Sequence, residues 1–287
     1  MSTQLLALFT ALSFATANII VRQGLKYSTP ITATLFSLTS HTILLWGAVF
    51  LTGGIPKVVP IAVLAITITA ILQPVMRFCH YTGIDKIGAS RSVTLRNTFP
   101  ILSVIIGITI LHENISITGL IGTALVVMGV ILTSWKLEKR ITSFRRLHLL
   151  FPLTAALVTG VVHPIRRDAL TISDEPLFFA ALVGPISLIC FIGYLALPTT
   201  TERPVWNQKA FLPFAVAGLF ETLGILLMLI AFATGPVVIV SPIAATTPIW
   251  TLLMAVIFLR DLERISTSTV IGTLCVVVGV IAISLVD

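Results

Sequence analysis

Residues 116–134 read SITGLIGTALVVMGVILTS, a run without a charged side chain in which Gly122 and Gly129 stand seven residues apart. Residues 266–284 read STSTVIGTLCVVVGVIAIS and agree with the first run at ten of nineteen positions without a gap. Each run approaches the roughly 20 apolar residues that an α-helix needs to cross a bilayer. The sequence therefore predicts one kind of membrane-spanning helix that occurs twice.

The segment that precedes each run is repeated as well. Residues 98–113, TFPILSVIIGITILHE, match residues 246–261, TTPIWTLLMAVIFLRD, at an offset of 148. The matched positions include Thr98 with Thr246, Pro100 with Pro248 and Glu113 with Asp261. The repeat therefore extends over at least two consecutive spans in each half of the chain.

A third pair lies near the start of each half, where IVRQGL at 20–25 answers IRRDAL at 165–170. Three pairs in the same order and at similar offsets indicate an internal duplication. The sequence predicts a first five-helix repeat over 4–135, a basic linker over 136–147 and a second repeat over 148–286.

The composition is that of a membrane protein. The 287 residues are 56% hydrophobic and 10% charged, with a mean hydropathy of +1.07, whereas soluble domains carry roughly a quarter charged residues. Backbone polar groups inside a bilayer must be satisfied within the segment, which favours helices. We predict an all-α protein with ten spans, approximately at 4–22, 32–52, 58–84, 88–111, 116–135, 148–170, 177–197, 210–233, 236–259 and 267–286.

Five spans in each half have a topological consequence. Because five is odd, the second half must enter the membrane from the side opposite to the first, so the two repeats are inverted. Inverted halves related by a pseudo-two-fold axis in the membrane plane are typical of transporters that expose one central site to each side in turn.

The order of features in each half, proline, apolar run, terminal acid and a glycine-spaced helix, resembles the drug/metabolite transporter (DMT) superfamily, and specifically its ten-helix members with two EamA-type repeats. The resemblance covers essentially the whole chain and implies a transporter whose cargo is a small metabolite. It departs from the usual pattern at LHEN, residues 111–114, where a Gly-Glu pair is more common. It also departs at Arg96, because the second half has Ala244 there.

Several ionisable or polar side chains fall inside predicted spans, where a charged group costs about 2.5–3.5 kcal/mol at the helix centre. Glu221 lies about 18 Å from the start of its helix, and Arg96 about 12 Å. Arg77, His80 and Tyr81 share one helix face by their spacing. The candidate substrate- or ion-binding residues are Glu221, Arg96, Arg77, His80, Tyr81, Asn18, His163 and Asn97.

The basic side chains predict a vestibule on each side of a site that contains one acid: Arg22, Arg77, His80, Arg91 and Arg96 on one side, and His163, Arg166 and Arg167 on the other. Arginine offers a planar fork that suits carboxylate and phosphate, so we expect an anionic or zwitterionic substrate, with Glu221 as a candidate for proton coupling. A structural alternative stays open, in which Glu221 only neutralises Arg77 or Arg96 and backbone carbonyls satisfy His163.

The sequence offers little support for other functions. The net charge of +7 is scattered over short loops, which argues against a nucleic-acid partner. No HExxH, GxSxG or Walker motif is present, and Cys79, Cys190 and Cys275 lie singly in separate spans. We therefore expect no enzyme activity, cofactor, metal or disulfide. The alternatives to transport are an intramembrane enzyme and a lipid-handling or scaffold protein.

The expected partners are a small-molecule substrate, protons and the lipid bilayer, for a monomer in the cell membrane. Lysine and arginine are concentrated in the loops that follow the odd-numbered spans. The positive-inside rule places these loops in the cytoplasm and both termini outside. The family resemblance implies cytoplasmic termini instead, and we adopt the orientation that the charges favour.

Overall fold

The computed structural model describes residues 2–134, 146–197, 203–258 and 267–284. These residues form twelve α-helices and one 3-10 turn, Arg146–Leu149, and contain no strand. The helices are α1 Thr3–Gly24, α2 Pro30–Leu51, α3 Pro60–Ile87, α4 Ala89–Arg96, α5 Pro100–Thr109, α6 Ile117–Ser134, α7 Leu150–Ile172, α8 Pro176–Ala196, α9 Gln208–Thr234, α10 Val237–Ala244, α11 Thr247–Phe258 and α12 Thr267–Ser284. The predicted all-α architecture is confirmed, whereas most of the predicted linker and Asp261 lie outside the described residues.

Most of these helices have the length and apolarity of membrane spans. In the described part of the chain, seven helical stretches could each cross a bilayer, and the shorter apolar helices lie among α6 and α10–α12. Their outer faces carry large apolar side chains, such as Leu51 at 89% exposure and Leu212 at 72%. Such exposure is unfavourable in water and suits contact with lipid. The chain is an integral membrane protein.

The fourth and ninth predicted spans are not continuous. The spans that we predicted over 88–111 and 236–259 each contain two helices: α4 and α5 make up the first, and α10 and α11 make up the second. Pro100 is the first residue of α5 and Pro248 the second residue of α11. Proline has no amide hydrogen and therefore fits the first turn of a helix, where that hydrogen would have no intrahelical acceptor. Each of these helices restarts at its proline.

A threonine lies at the equivalent position of both interruptions. The Thr98 hydroxyl donates to the carbonyl of Leu95 at 2.8 Å, and the Thr246 hydroxyl donates to the carbonyl of Ile243 at 2.8 Å. Each carbonyl lies near the end of a helix and also accepts from the backbone N–H of the same threonine. The interruptions are therefore repeat-equivalent features of the fold.

The glycines of the repeated helix show how the two halves are related. In the sequence Gly122 is equivalent to Gly272 and Gly129 to Gly279, but in the structure the contacts are crossed. A Cβ built on Gly122 would lie 2.7 Å from the carbonyl oxygen of Gly279, and one built on Gly129 would lie 2.5 Å from that of Gly272. Crossed contacts between equivalent positions require antiparallel helices related by a two-fold axis, which confirms the inverted repeats.

The remaining packing obeys the same symmetry. Helix α1 packs chiefly against α9, and its repeat equivalent α7 packs chiefly against α3. Helix α2 packs against its own equivalent α8. Helices α1 and α3 of the first half and α7 and α9 of the second therefore enclose the centre of the molecule. This arrangement brings their polar side chains to a common site.

One end of the bundle is joined by a charged contact between the halves. The Glu113 carboxylate accepts from the backbone N–H groups of Val237 at 2.9 Å and Val238 at 3.0 Å, at the start of α10. The Arg167 guanidinium lies 3.6 Å from the same carboxylate and also donates to the Phe232 carbonyl at 2.5 Å. A carboxylate at a helix N-terminus is favoured by the free amides and the helix dipole.

Candidate functional site

A small cavity of about 30 Å³ lies at the centre of the molecule between the two halves. Five of the eight predicted site residues line it: Arg77, Arg96, Asn97, His163 and Glu221. The structure therefore brings together side chains from α3, α4, α7 and α9 that are far apart in the sequence. Among the described residues, no three His, Cys, Asp or Glu side chains are arranged to hold a metal ion.

The single acid of the cavity is engaged by three donors. The Arg77 Nε atom lies 3.4 Å from Glu221 Oε1 in an ion pair, with Arg77 1% exposed and Glu221 9% exposed. Ser37 accepts from the Arg77 guanidinium and donates to Glu221 Oε2, and the Tyr81 hydroxyl donates to the same oxygen. The buried pair that we considered for Glu221 therefore forms with Arg77. Nothing in the sequence indicated the bridging Ser37, because serine is common in spans.

Arg96 is the last residue of α4, at the interruption of the fourth span. Its guanidinium carbon lies 6.0 Å from the centre of the Phe14 ring, a cation–π contact. In the described ranges no carboxylate lies within ion-pair distance of Arg96, and its Nε atom has no hydrogen-bond partner. The neighbouring Asn97 donates to the Val93 carbonyl at 2.6 Å, so its side chain closes the end of α4.

Arg166, which we predicted for a vestibule rather than for the site itself, also lines the cavity. It is 3% exposed, and its guanidinium donates to Gln73 Oε1 at 2.9 Å and to the Thr69 hydroxyl at 3.4 Å. The sequence did contain a signal for Gln73: at the offset of 148 that relates the fourth and ninth spans, Gln73 is equivalent to Glu221. The two repeat-equivalent positions thus hold one arginine each, Gln73 through a neutral amide and Glu221 through a carboxylate.

The histidines have other partners. His80 Nε2 lies 2.8 Å from Asn18 Oδ1, and this pair is buried outside the cavity lining. His163 Nδ1 lies 3.1 Å from the Ser241 hydroxyl, rather than contacting a backbone carbonyl, and its ring meets the Phe99 ring edge-on at 4.7 Å. His163 is therefore positioned at the cavity wall by an aromatic neighbour and one hydrogen bond.

The unsatisfied groups of the cavity have a common chemistry. Among its lining residues, the buried atoms with neither a hydrogen bond nor an ion pair are Gln73 Nε2, Arg77 Nη2 and Arg96 Nε. All three are N–H donors. A buried donor without an acceptor costs about 1–3 kcal/mol, and more when it is charged. The cavity therefore offers donors to whatever enters it.

Comparison with known proteins agrees with this architecture. The EamA-like transporter family matches the chain twice, over residues 1–135 and 146–285. No curated protein matches the sequence. A solved crystal structure superposes with a TM-score of 0.78 over 99% of this chain and 96% of that chain at 14% sequence identity, which shows a shared fold. Because both halves match the family, the chain belongs to the EamA-like transporter family and is a transporter of the drug/metabolite type.

Proposed function

We propose that this protein is a secondary active transporter that carries a small, polar, anionic metabolite by alternating access. The observation that carries the proposal is the excess of unsatisfied N–H donors around one central cavity. A carboxylate or phosphate supplies several acceptor oxygens, and arginine binds such groups through two parallel hydrogen bonds. A ligand of this kind removes the cost of the buried donors.

The charges of the cavity support the same class of substrate. Three arginines and one glutamate line it, which leaves two positive charges uncompensated when His163 is neutral. The carboxylate of Glu221 already receives Ser37, Tyr81 and Arg77. Because Glu221 already has these partners, a cationic group on the substrate would lie beside guanidinium groups and would have no free carboxylate to pair with. A zwitterion is therefore a less suitable ligand than an anion.

The inverted repeats support alternating access. Two similar halves of opposite direction can rock about a central site so that each side of the membrane reaches it in turn. Both interrupted spans contribute to the cavity, through Arg96 and Asn97 in the first half and Ala244 and Thr247 in the second. Because one chain supplies the complete cavity, the proposed functional unit is a monomer, and the proposed location is the cell membrane.

Proton coupling through Glu221 is a further part of the proposal. Glu221 is the one carboxylate among the residues that line the cavity, so it is the candidate to take up and release a proton as the two halves rock. In this scheme one proton accompanies each substrate anion.

The test begins with the purified protein and a panel of carboxylates and phosphates, each paired with its neutral amide or alcohol. We expect anions to raise the thermal midpoint of unfolding and the neutral counterparts to leave it unchanged. Arg96→Gln should weaken the response to anions at least tenfold, whereas Lys57→Gln, which removes an exposed cation, should not. A response to neutral or cationic metabolites that survives Arg96→Gln would contradict the proposal.

Uptake into proteoliposomes separates transport from the alternatives. We expect a stabilising anion to accumulate inside vesicles unchanged, and faster when the outside is acidic. Conversion of the compound to a product would indicate an intramembrane enzyme. Binding without uptake would indicate a protein that handles ligands or lipids without transporting them.

A further inference from the structure

We infer that the substrate carries two acidic groups, one bound by Arg96 and the other by Arg166 at opposite ends of the central cavity. This inference rests on the proposed transport of an anion and specifies its chemical class. It concerns Arg166 in particular, a residue that the sequence-based site did not include.

The three cavity arginines are not equivalent. Arg77 is neutralised by Glu221 at 3.4 Å and held by Ser37. Among the described residues, Arg166 donates to the neutral side chains of Gln73 and Thr69, and Arg96 lies over the Phe14 ring. In the part of the chain that the structure describes, both of these guanidinium groups are buried, with 9% exposure for Arg96 and 3% for Arg166, and neither has an anionic partner.

Helix α3 shows that the two groups approach the cavity from different ends. Arg166 contacts α3 at Thr69 and Gln73, and α7 ends a few residues later near the start of α3, where the Ser173 hydroxyl accepts from the Val59 amide at 3.0 Å. Helix α4 instead follows the end of α3 and folds back along it, so that Arg96 enters from the far end. Arg77 lies between the two on α3.

A single acidic group leaves this arrangement incomplete. A carboxylate or phosphate at one end compensates one guanidinium and leaves the other buried without an anion, which is costly in a low-dielectric site. Two acidic groups compensate both. The class of ligand that fits is a short dicarboxylate or a phosphorylated carboxylate, with an uncharged backbone that spans the region beside the Arg77–Glu221 pair.

The experiment uses matched probes that differ by one acidic group. Succinate, glutarate and adipate are each compared with their monoamides, and 3-phosphoglycerate is compared with glycerate. Dissociation constants come from the concentration dependence of thermal stabilisation of the full-length protein. We expect at least one dianion to bind ten times more tightly, or better, than its singly charged counterpart.

Variants of the two arginines test which of them binds each acidic group. Arg166→Gln and Arg96→Gln should each reduce the preference for the dianion to less than twofold while binding of the singly charged probe persists. Arg166→Lys keeps the positive charge and should retain a preference for the dianion. This variant tests the inference if Arg166→Gln fails to fold. Lys57→Gln removes an exposed cation and should leave the preference unchanged.

The outcomes distinguish this inference from the proposed function. Equal affinity for dianions and monoanions in the unmodified protein, or a preference that survives in Arg166→Gln, would overturn the two-group inference and leave anion transport standing. Failure of every anionic probe to bind, with binding of neutral or cationic compounds, would overturn both.

Discussion

Gly122 of the first half packs against the backbone of Gly279 in the second, so closely that a Cβ on Gly122 would lie 2.7 Å from the Gly279 carbonyl oxygen. The reciprocal position is equally tight, since a Cβ on Gly279 would lie 2.6 Å from the Gly122 carbonyl oxygen. The contacted atoms belong to backbone, which cannot rotate away as a flexible side chain can. Close approach of small residues is a common basis of helix association in membranes.

We predict that Gly122→Ala and Gly279→Ala each destabilise the protein by about 1–3 kcal/mol, the usual cost of overpacking. The measurement is the thermal midpoint in detergent. Gly47→Ala is the matched control, because a Cβ on Gly47 meets no atom within 4 Å. Tolerance of both interface substitutions at the level of Gly47→Ala would contradict the close packing of α6 on α12.

The Arg77–Glu221 pair gives a second prediction. Glu221→Gln leaves Arg77 buried without its anion, which typically costs about 3–5 kcal/mol. Addition of Arg77→Gln to the same chain removes the stranded cation and should restore much of the stability. The readout is thermal stability of the two single variants and the double variant.

The same variants examine proton coupling. If Glu221 carries the coupled proton, Glu221→Gln should retain binding of a stabilising anion yet lose the acceleration of uptake by an imposed pH gradient. A double variant that regains both stability and pH-driven uptake would show that Glu221 serves only to neutralise Arg77.

The contact of Glu113 with the start of α10 is a third testable feature. Glu113→Ala removes two hydrogen bonds to backbone amides and the ion pair with Arg167, and we expect a loss of about 1–2 kcal/mol, as for other helix caps. Asp168→Ala is the control, since Asp168 is an exposed acid of the adjacent helix α7. Equal stability of the two variants would show that the cap contributes nothing measurable.

Membrane orientation can be decided by cysteine labelling. In a background with Cys79, Cys190 and Cys275 replaced by serine, we introduce Lys26→Cys or Thr52→Cys at exposed positions on opposite ends of the bundle. The charge distribution predicts that an impermeant thiol reagent outside intact cells labels position 52 and not position 26. The reverse pattern would support the orientation that the family resemblance implies.

The sequence by itself determined the class of the protein and its symmetry. Membrane insertion depends on local composition, because each span must satisfy its own backbone and shed its own polar surface. The inversion follows from counting five spans in each half. The cost of burying an ionisable group identified Glu221, Arg77 and Arg96 as unusual without reference to any neighbour.

Only the tertiary structure decided how these groups are paired. Glu221 selects Arg77 rather than Arg96, and Ser37 joins them from a third helix. Arg166, which the sequence indicated only as a vestibule residue, donates to Gln73 across the interface of the halves. Helical periodicity reports which residues share a face, but the choice among partners on different helices depends on the crossing angles and depths set by side-chain packing. Those contacts are absent from any local stretch of sequence.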